Sequence, residues 1–468
     1  MTSGIRAAVS GRGGGLERST CMAHDSPASQ ELSTEHWTEN TETIVSSHDD
    51  LRLRIAHGID LYRFTVTRCV PALRNHPMPL HRPCCLVGAL LISLSLGLPV
   101  AHLQAGDRPP DAGPTATAGF RRAFPGYAYA FPRDHGAHDE FRTEWWYYTG
   151  HLTTSTGRRF GFELTFFRRG LASDDASADA PAKGSAWAVH QLYLAHAAVT
   201  DVDGRRFLYE EKVSRAGLGK AGADRDQLRV WIDRWRAESM PTPRDAHRLV
   251  ARTPTFTLEL RLTPERAPVI HGLGGVSRKG SEPHQTSHYY SLTRLDTEGR
   301  LTLGEASHQV TGLSWMDHEF GSGELGAGVV GWDWFSLQLK NRTDVMVYRL
   351  RREDGHPDAA SSGTLIFEHG PGVPLAAGDV QISVIDYWES PSSHARYPSG
   401  WEMTIPSADL VLTLRPLIRE QELITSRSTQ VTYWEGAVAV TGRMQGHPVE
   451  GQGYVDLTGY AHPLTLGH

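Results

Sequence analysis

The densest group of reactive side chains in the sequence is Asp317-His318-Glu319. Two carboxyl groups and an imidazole can donate and accept protons, as general acid–base catalysis requires. Successive residues of a β-strand point to opposite faces, so within a strand His318 would not share a face with either acid. The run therefore predicts a proton-transfer site that uses one face of a strand.

A weak internal repeat separates the members of this run. Val310–Glu319 aligns with Val449–Thr458, because both follow the pattern V-x-G-x-[SG]-[WY]-[MV]-D. In this alignment Asp317 has a counterpart in Asp456, whereas His318 has an apolar one. A residue kept in both units is expected to be architectural, and we interpret Asp317 as bonding backbone amides at a barrel closure. His318 is the functional candidate, with a satisfied core histidine as the alternative.

The repeat also predicts two related β-units of unequal length. Trp146 and Asp317 are 171 residues apart, whereas Trp334 and Asp456 are 122 apart, so the first unit carries 49 more residues in its loops. The acidic, alanine-rich segment Leu171–Ala182 is one expected insertion.

Short strands joined by turns are predicted from about residue 131 to the end. Apolar and aromatic residues alternate with polar ones over short runs, and long helical periods are hard to find. This pattern predicts an all-β sandwich or barrel. The predicted strands are Glu144–Leu152, Phe160–Phe167, Val189–Thr200, Gln227–Ile232, Phe256–Leu262, His288–Leu295, Trp332–Leu339, Val345–Leu350, Val380–Trp388, Leu410–Leu414, Val431–Val440 and Val455–Tyr460.

An uncharged apolar run at Leu86–Ala101 marks the N-terminal third. It follows Met78 and a short basic stretch, and small residues suited to cleavage end at Ala105. This order is typical of a secretory signal peptide, and a membrane-spanning helix normally needs about 20 apolar residues. We expect residues 78–105 to be a signal peptide, and residues 1–77 to be a disordered or upstream extension. The alternative is a cytoplasmic tail ahead of a signal anchor. Export to the periplasm or the medium follows from the first interpretation.

Composition excludes several classes of protein. The net charge is −6 without a basic segment, so no nucleic-acid partner is expected. All four cysteines precede residue 106, so the exported part would have neither disulfides nor thiolate zinc sites. His318-Glu319 begins an H-E-x-x-H pattern, but position 322 is serine, and no G-x-S-x-G occurs. A zinc or serine hydrolase is therefore unsupported, and we expect no metal and no cofactor.

Several motifs together resemble the lipocalin-like carotenoid 1,2-hydratase (hydroxyneurosporene synthase) family, and most closely its secreted AttH-type branch of predicted hydrolases. The motifs are Glu144–Tyr147, Leu194–Ala197, Ser277–Gly280, Tyr289–Ser291, Trp315–Glu319 and Gly331–Trp334. The resemblance covers about Phe131–Pro463 and implies two lipocalin-like antiparallel β-barrel domains in tandem. We expect a linker at residues 106–130, a first domain at 131–322 and a second at 323–468.

The resemblance also implies an activity, the addition of water to a terminal carbon–carbon double bond of a long apolar polyene. Relatives with this fold serve as cyclisation catalysts or have no established activity. The essential histidine of the hydratase motif matches His318, and Phe320 takes the place of a tryptophan that follows it. A later Tyr-x-Asp is best matched at Tyr348, where leucine replaces the acid, so Glu144, Glu319 and Asp333 are candidates for the proton donor.

The predicted site therefore has a catalytic group and a substrate pocket. The catalytic group is His318, Asp317, Glu319 and Tyr348. The pocket is lined by Glu144, Trp146, His196, Tyr289, Phe320, Trp332 and Trp334. Two functions remain open, an acid–base enzyme acting on an isoprenoid or lipid-like molecule and a non-catalytic carrier of such a molecule. Either is compatible with a position near the membrane or with an envelope transporter.

Overall fold

The computed structural model describes residues 119–171, 189–242 and 245–464. In these ranges β-strands carry almost all of the regular structure, and the helices are short 3-10 turns at Arg133–His135, Ala377–Asp379 and Pro406–Ala408. The predicted all-β class is confirmed. Within the same ranges no helix has the length and apolarity needed to cross a bilayer.

Three predictions fall outside the described residues. These are the extension at residues 1–77, the signal peptide at 78–105 and, apart from Leu171, the predicted insertion Leu171–Ala182. They remain predictions.

The first sheet is antiparallel and curls into a nearly closed barrel, which we call the first barrel. Its strands follow the order β4-β3-β2-β1-β13-β12-β9-β8-β7-β6-β5, and β10 and β11 pair with β12. The strands are β1 Thr143–Thr153, β2 Arg159–Gly170, β3 Gln191–Asp201, β4 Arg206–Arg215, β5 Ala221–Ala223, β6 Arg229–Ile232, β7 Trp235–Ser239, β8 His247–Arg252, β9 Phe256–Pro264, β10 Val269–Ile270, β11 Ser277–Arg278, β12 Thr286–Leu303 and β13 Ala306–Gly321.

The second sheet is also antiparallel and curls into a half-barrel. Its order is β17-β16-β15-β14-β23-β22-β20-β19-β18, and β21 pairs with β22. The strands are β14 Val329–Leu339, β15 Asp344–Arg352, β16 Ser362–Ile366, β17 Val373–Ala376, β18 Gln381–Glu389, β19 Arg396–Ile405, β20 Leu410–Pro416, β21 Glu422–Ile424, β22 Thr432–Met444 and β23 His447–Thr458. Tandem lipocalin-like barrels are thus confirmed as the architecture.

The predicted strands all occur, and most extend by a few residues at one or both ends. Sequence reasoning missed short strands, such as β5, β10 and β11, and edge strands such as β4 and β17, and it left the long strands β13 and β19 out of the predicted set. Runs of two to four residues are too short to show a period of two, and edge strands bury too little to need a clear apolar alternation.

Strand register supports the internal repeat and corrects it by one residue. At the centre of the first sheet Tyr147 pairs with Asp317, and at the centre of the second Trp334 pairs with Asp456. The counterpart of Trp334 is therefore Tyr147, whereas the sequence spacing suggested Trp146. The difference matters because a shift of one residue moves a side chain to the opposite face of a sheet.

A third apolar cluster lies between the two sheets, in addition to the core of each. It contains Tyr289, Trp315, Trp334, Tyr348 and Tyr454 among its members, and we call this contact the seam. The sheets approach closely there. A Cβ added at Gly161 would lie 2.8 Å from the Cβ of Ala437 and 2.8 Å from the hydroxyl of Tyr454.

The segment at residues 119–138, which we call the strap, crosses one end of the first barrel. It covers the end at which β12 begins and β13 finishes, where the Thr286 hydroxyl donates to the carbonyl of Ala123 at 2.7 Å. Tyr127 and Tyr129 of the strap pack with Phe320 and close the apolar top of the barrel.

Candidate functional site

His318 points from β13 into the first barrel and is fully buried. Its Nε2 lies 2.9 Å from Oε1 of Glu144, and its Nδ1 lies 2.9 Å from the hydroxyl of Tyr290. Because a carboxylate can only accept, Nε2 carries a hydrogen, and Nδ1 of the neutral ring accepts from Tyr290. The indole of Trp146 stacks on the ring at 4.9 Å between centroids. The imidazole is therefore held on three sides.

Glu144 is the centre of a network of buried charges. Its Oε1 also accepts from Nδ1 of His138 at 2.8 Å, and its Oε2 accepts from Nε of Arg168 at 2.9 Å. Burial alone would raise the pKa of this carboxyl, but the Arg168 guanidinium and the hydrogen bonds from His138 and His318 hold it well below its usual value. The glutamate is consequently an anion inside the barrel.

His138 reaches this network from the strap side of the barrel. Its second nitrogen, Nε2, lies 3.4 Å from Oδ1 of Asp134, so the ring stands between two carboxylates. Burial opposes charge on the ring, yet the hydrogen bonds to Asp134 and Glu144 raise the pKa of His138 above its usual value. For His318 burial prevails and lowers the pKa. Of the two imidazoles, His138 is thus the one whose charged form the surroundings favour.

Two further histidines extend the polar interior. Nδ1 of His135 lies 2.7 Å from the Tyr290 hydroxyl, and Nδ1 of His247 lies 3.0 Å from the hydroxyl of Tyr148. Burial lowers the pKa of His135 to about 2 and that of His247 to about 3. Neutral imidazoles and phenols therefore continue the network away from the charged pair.

The three central side chains also have a donor set that could hold a metal ion. Ligand atoms of His138, Glu144 and His318 all lie within 4.8 Å of one another. No other group of three histidine, cysteine or acidic side chains among the described residues brings its ligand atoms this close together.

The structure divides the predicted site into two sets. Four predicted residues, Glu144, Trp146, His318 and Phe320, lie together inside the first barrel, and Phe320 stacks on the His138 ring at 3.6 Å. The others lie outside this barrel, at its contact with the second sheet, and do not line one pocket with His318. Those residues are Asp317, Glu319, Tyr289, Tyr348, His196, Trp332 and Trp334.

Asp317 is bound by side chains in the seam, and not by backbone amides as predicted. Its Oδ1 accepts from Nε1 of Trp315 at 2.6 Å and from Ser291, and its Oδ2 accepts from Tyr289 at 2.7 Å. Backbone amides in the middle of β13 bond the neighbouring strands and are unavailable. Burial raises the pKa of Asp317 to about 7.

Glu319 and Tyr348 contact a largely buried lysine in the seam. Nζ of Lys279 lies 2.9 Å from Oε1 of Glu319 and 4.2 Å from the ring centre of Tyr348. The Tyr348 hydroxyl donates to the carbonyl of Arg278 at 2.8 Å. Trp334 donates through Nε1 to the hydroxyl of Tyr289 at 3.0 Å. These side chains join the two sheets.

His196 and Trp332 complete the set outside the barrel. The two ring nitrogens of His196 lie 2.7 Å from the hydroxyl of Tyr433 and 2.9 Å from that of Ser428, and burial lowers its pKa to about 4. Trp332 donates to Asp456 at 2.8 Å. Strand alternation explains the division, because residues one apart on β13 or β1 belong to different faces.

Sequence reasoning missed several residues of the barrel network, chiefly Asp134, His138, Arg168 and Tyr290. One signal was available for the arginine. The consecutive predicted strands Glu144–Leu152 and Phe160–Phe167 would form a hairpin centred on residue 156. That centre places position 168 opposite Glu144, and the observed register has this pairing. No comparable signal places the strap residues next to His318.

Two curled antiparallel sheets in tandem, with a polar network buried inside the first, define a lipocalin-like all-β protein. The model of the AttH-like family matches residues 122–460, and the chain belongs to this family. A crystal structure described as an AttH protein from Nitrosomonas europaea is 32% identical, covers 73% of this chain and 100% of that one, and superposes with a TM-score of 0.65.

Two more distant proteins are similar to this chain. Kievitone hydratase from Nectria haematococca shares the fold at 15% identity, with 74% of this chain and 99% of that one covered and a TM-score of 0.55. The dehydratase AsqC of Emericella nidulans is 24% identical over 218 residues, which is 45% of this chain and 60% of that protein. The chain thus matches little more than half the length of that curated relative.

Proposed function

We propose that the protein is a hydratase- or dehydratase-like acid–base catalyst for an apolar, isoprenoid or lipid-like molecule, with His318 at its centre. The observation that carries the proposal is the position of His318, fully buried between the Glu144 carboxylate and the Tyr290 hydroxyl. A carrier of apolar molecules has no need of such a network. The names of two similar proteins, a hydratase and a dehydratase, favour the same reaction class.

The network has the connectivity that this chemistry requires. Adding water to a carbon–carbon double bond takes one proton to carbon and removes one from water, and loss of water reverses both transfers. Hydrogen bonds of 2.8 to 2.9 Å join His138, Glu144, His318 and Tyr290 in series. In the observed orientation Tyr290 donates to His318 and His318 donates to Glu144, so the series takes up the proton that water loses, and the reverse shift returns a proton to the departing hydroxyl when water is lost.

The environment of the two histidines suits transient positive charge. Trp146 stacks on His318, and Phe320 stacks on His138 at 3.6 Å between ring centroids. Aromatic faces attract cations, most strongly where water is excluded. The rings therefore stabilise an imidazolium at either position during proton transfer.

The test begins with apolar molecules that copurify with the protein, identified by mass spectrometry. Each is incubated in water labelled with oxygen-18 with wild type, His318→Ala and, as a matched control, His271→Ala, which removes a buried histidine of the seam. We expect gain or loss of labelled water with wild type and the control, and a loss of turnover of at least 100-fold in His318→Ala, since one general acid or base contributes about 10²–10⁴-fold. Equal turnover by wild type and His318→Ala removes His318 from the mechanism. Retained binding without turnover in all three proteins favours the carrier.

Export is the second part of the proposal. It is supported by the apolar run at residues 86–101 with its flanking cleavage pattern. N-terminal sequencing of the protein recovered outside the cytoplasm is expected to give a mature end near Gly106. An N-terminus at or before Met78 would contradict cleavage.

A further inference from the structure

We propose that the first barrel also binds one divalent transition-metal ion, held by Nδ1 of His138, Nε2 of His318 and Oε1 of Glu144. The proposal goes beyond the proposed function, because it concerns a metal ion bound by the network. It holds whether or not the protein turns over a substrate. Its experiment measures bound metal, and product formation bears only on the proposed function.

The donor atoms converge as an ion requires. Both histidine nitrogens lie within 2.9 Å of the same glutamate oxygen, and all three side chains are fully buried. Zinc and iron take imidazole nitrogen and carboxylate oxygen at about 2.0–2.2 Å. Atoms already this close reach such bond lengths to one ion with small side-chain shifts.

Each candidate ligand is oriented by a partner on its other atom. Asp134 lies 3.4 Å from the second nitrogen of His138, Tyr290 lies 2.9 Å from that of His318, and Arg168 donates to the second oxygen of Glu144 at 2.9 Å. Outer partners of this kind fix the tautomer and the direction of ligands in metal sites. These outer contacts are separate from the contacts that the three donor atoms make with one another.

The hydrogen bonds outside the trio are compatible with an ion. Without one, His138 faces a carboxylate at both nitrogens and needs two hydrogens. With the ion on Nδ1, its Nε2 hydrogen still donates to Asp134. His318 then donates from Nδ1 to Tyr290, whose own hydroxyl hydrogen can turn to the carbonyl of Asp134 at 3.0 Å. The ion replaces protons between the three ligands and leaves the outer contacts in place.

The two carboxylates beside His138 each have a guanidinium partner, because Arg168 pairs with Glu144 and Arg133 pairs with Asp134. The types of donor atom therefore indicate which ion would bind. Two nitrogen donors favour zinc, cobalt or ferrous iron over magnesium and calcium, which prefer oxygen.

Because the trio is fully buried, the test supplies metal in two ways. Metal-free full-length protein receives Co²⁺ or Zn²⁺ in the folded state, and a second sample is refolded in their presence, since buried sites commonly fill during folding. We expect one ion per chain by elemental analysis, a visible Co²⁺ absorption band, and an increase in Tm with Zn²⁺.

Variants assign the ion to these ligands. Glu144→Gln and His138→Ala are expected to bind Co²⁺ at least 100-fold more weakly, whereas His247→Ala keeps the stoichiometry because it removes a buried histidine of the same barrel outside the trio. Near-ultraviolet circular dichroism verifies that each variant is folded, and His318→Gln replaces any variant that is not. Folded wild type that retains less than a tenth of an equivalent by both routes overturns the proposal. Equal binding by wild type and the folded ligand variants overturns it as well.

Discussion

Replacing Glu163 by glutamine should stabilise the protein, and increasingly so as the pH rises. Glu163 lies in β2 at the contact between the two sheets and is 1% exposed. Its Oε1 accepts from the Thr165 hydroxyl at 2.6 Å, whereas Oε2 has no hydrogen-bond partner among the described residues. Burial raises its pKa to about 8 against the effect of Thr165, and the nearby Asp456 adds to the rise.

The size of this effect on stability follows from the difference between the pKa of Glu163 in the folded state and in the unfolded state. An ordinary glutamate has the reference value 4.5, and in the folded chain the pKa of Glu163 is about 8. One pKa unit corresponds to 1.36 kcal/mol, so the difference amounts to roughly 5 kcal/mol as an upper bound. The folded state holds the proton more tightly, so this stability is complete below pH 4.5 and is lost as the pH rises towards 8.

Neighbouring titratable groups change how much stability is lost as the pH rises, but they do not change the direction of the effect. The pKa of Glu435 is also raised well above its usual value, first by burial and then by the charge of Glu163. The pKa of Tyr433, whose hydroxyl lies 3.5 Å from Oε1 of Glu163, is likewise raised, so the phenol stays neutral. His196, which bonds Tyr433, is neutral as well, because burial lowers its pKa to about 4.

The assay is chemical unfolding of wild type and Glu163→Gln at pH 5 and pH 9. At pH 5 both side chains are neutral, and the two proteins should agree within about 1 kcal/mol, the usual net value of one hydrogen bond. At pH 9 the variant should be more stable by ~4 kcal/mol, because it cannot ionise. Glu259→Gln is the control, because the hydrogen bond from Arg252 lowers the pKa of Glu259. The stability that this carboxylate contributes is lost only below pH 4.5, so the profiles of Glu259→Gln and wild type should run parallel from pH 5 to pH 9. Parallel pH profiles for wild type and Glu163→Gln would refute the reasoning, because they would mean that the acid is ionised and accommodated in the fold.

Three other changes test the packing of the buried charges and of the seam. Arg168→Met leaves the Glu144 carboxylate buried without its guanidinium and should lower the free energy of unfolding by about 3–5 kcal/mol in urea titrations, whereas a loss below 1 kcal/mol would mean that the carboxyl is protonated or hydrated. Gly161→Ala puts a methyl group 2.8 Å from Ala437 and should cost about 1–3 kcal/mol; an unchanged Tm would show that the sheets can separate there without loss. Lys279→Met removes the largely buried ammonium beside Glu319 and should lower the free energy of unfolding at pH 7 by about 3–5 kcal/mol, because it leaves the buried carboxylate without its partner; a loss below 1 kcal/mol would contradict this.

Sequence alone predicts many of the strands, and it predicts that His318 lies on the opposite face from both neighbouring acids. Alternation within the Asp317–Glu319 run separates the histidine from both acids, and the structure has this separation. The repeat adds the contrast between His318 and its apolar counterpart. Both arguments succeed because they depend on the period of two, which every paired strand obeys whatever packs against it.

The division of the predicted pocket could not be predicted in this way. Tyr289 and Trp334 are aromatic residues in apolar strands, and such a pattern is the same whether a face lines a barrel or packs on another sheet. Burial of both faces of β1 and β13 removes the polar signal that would mark the outside. Which of two buried faces encloses a site is determined by tertiary packing, and alternation carries no information about it.

The strap contributes more to the first barrel than a covering of its open end. Asp134 and His138 both come from the chain just before β1, whereas Glu144, Arg168 and His318 stand on the barrel strands. A displaced strap would take Asp134 and His138 away together and leave Glu144 paired with Arg168, so the interior would stay electrically balanced while it lost an imidazole. Under the proposed function, displacement would interrupt proton transfer to Glu144 without leaving an uncompensated charge, because the network is complete only while residues 134–138 are docked.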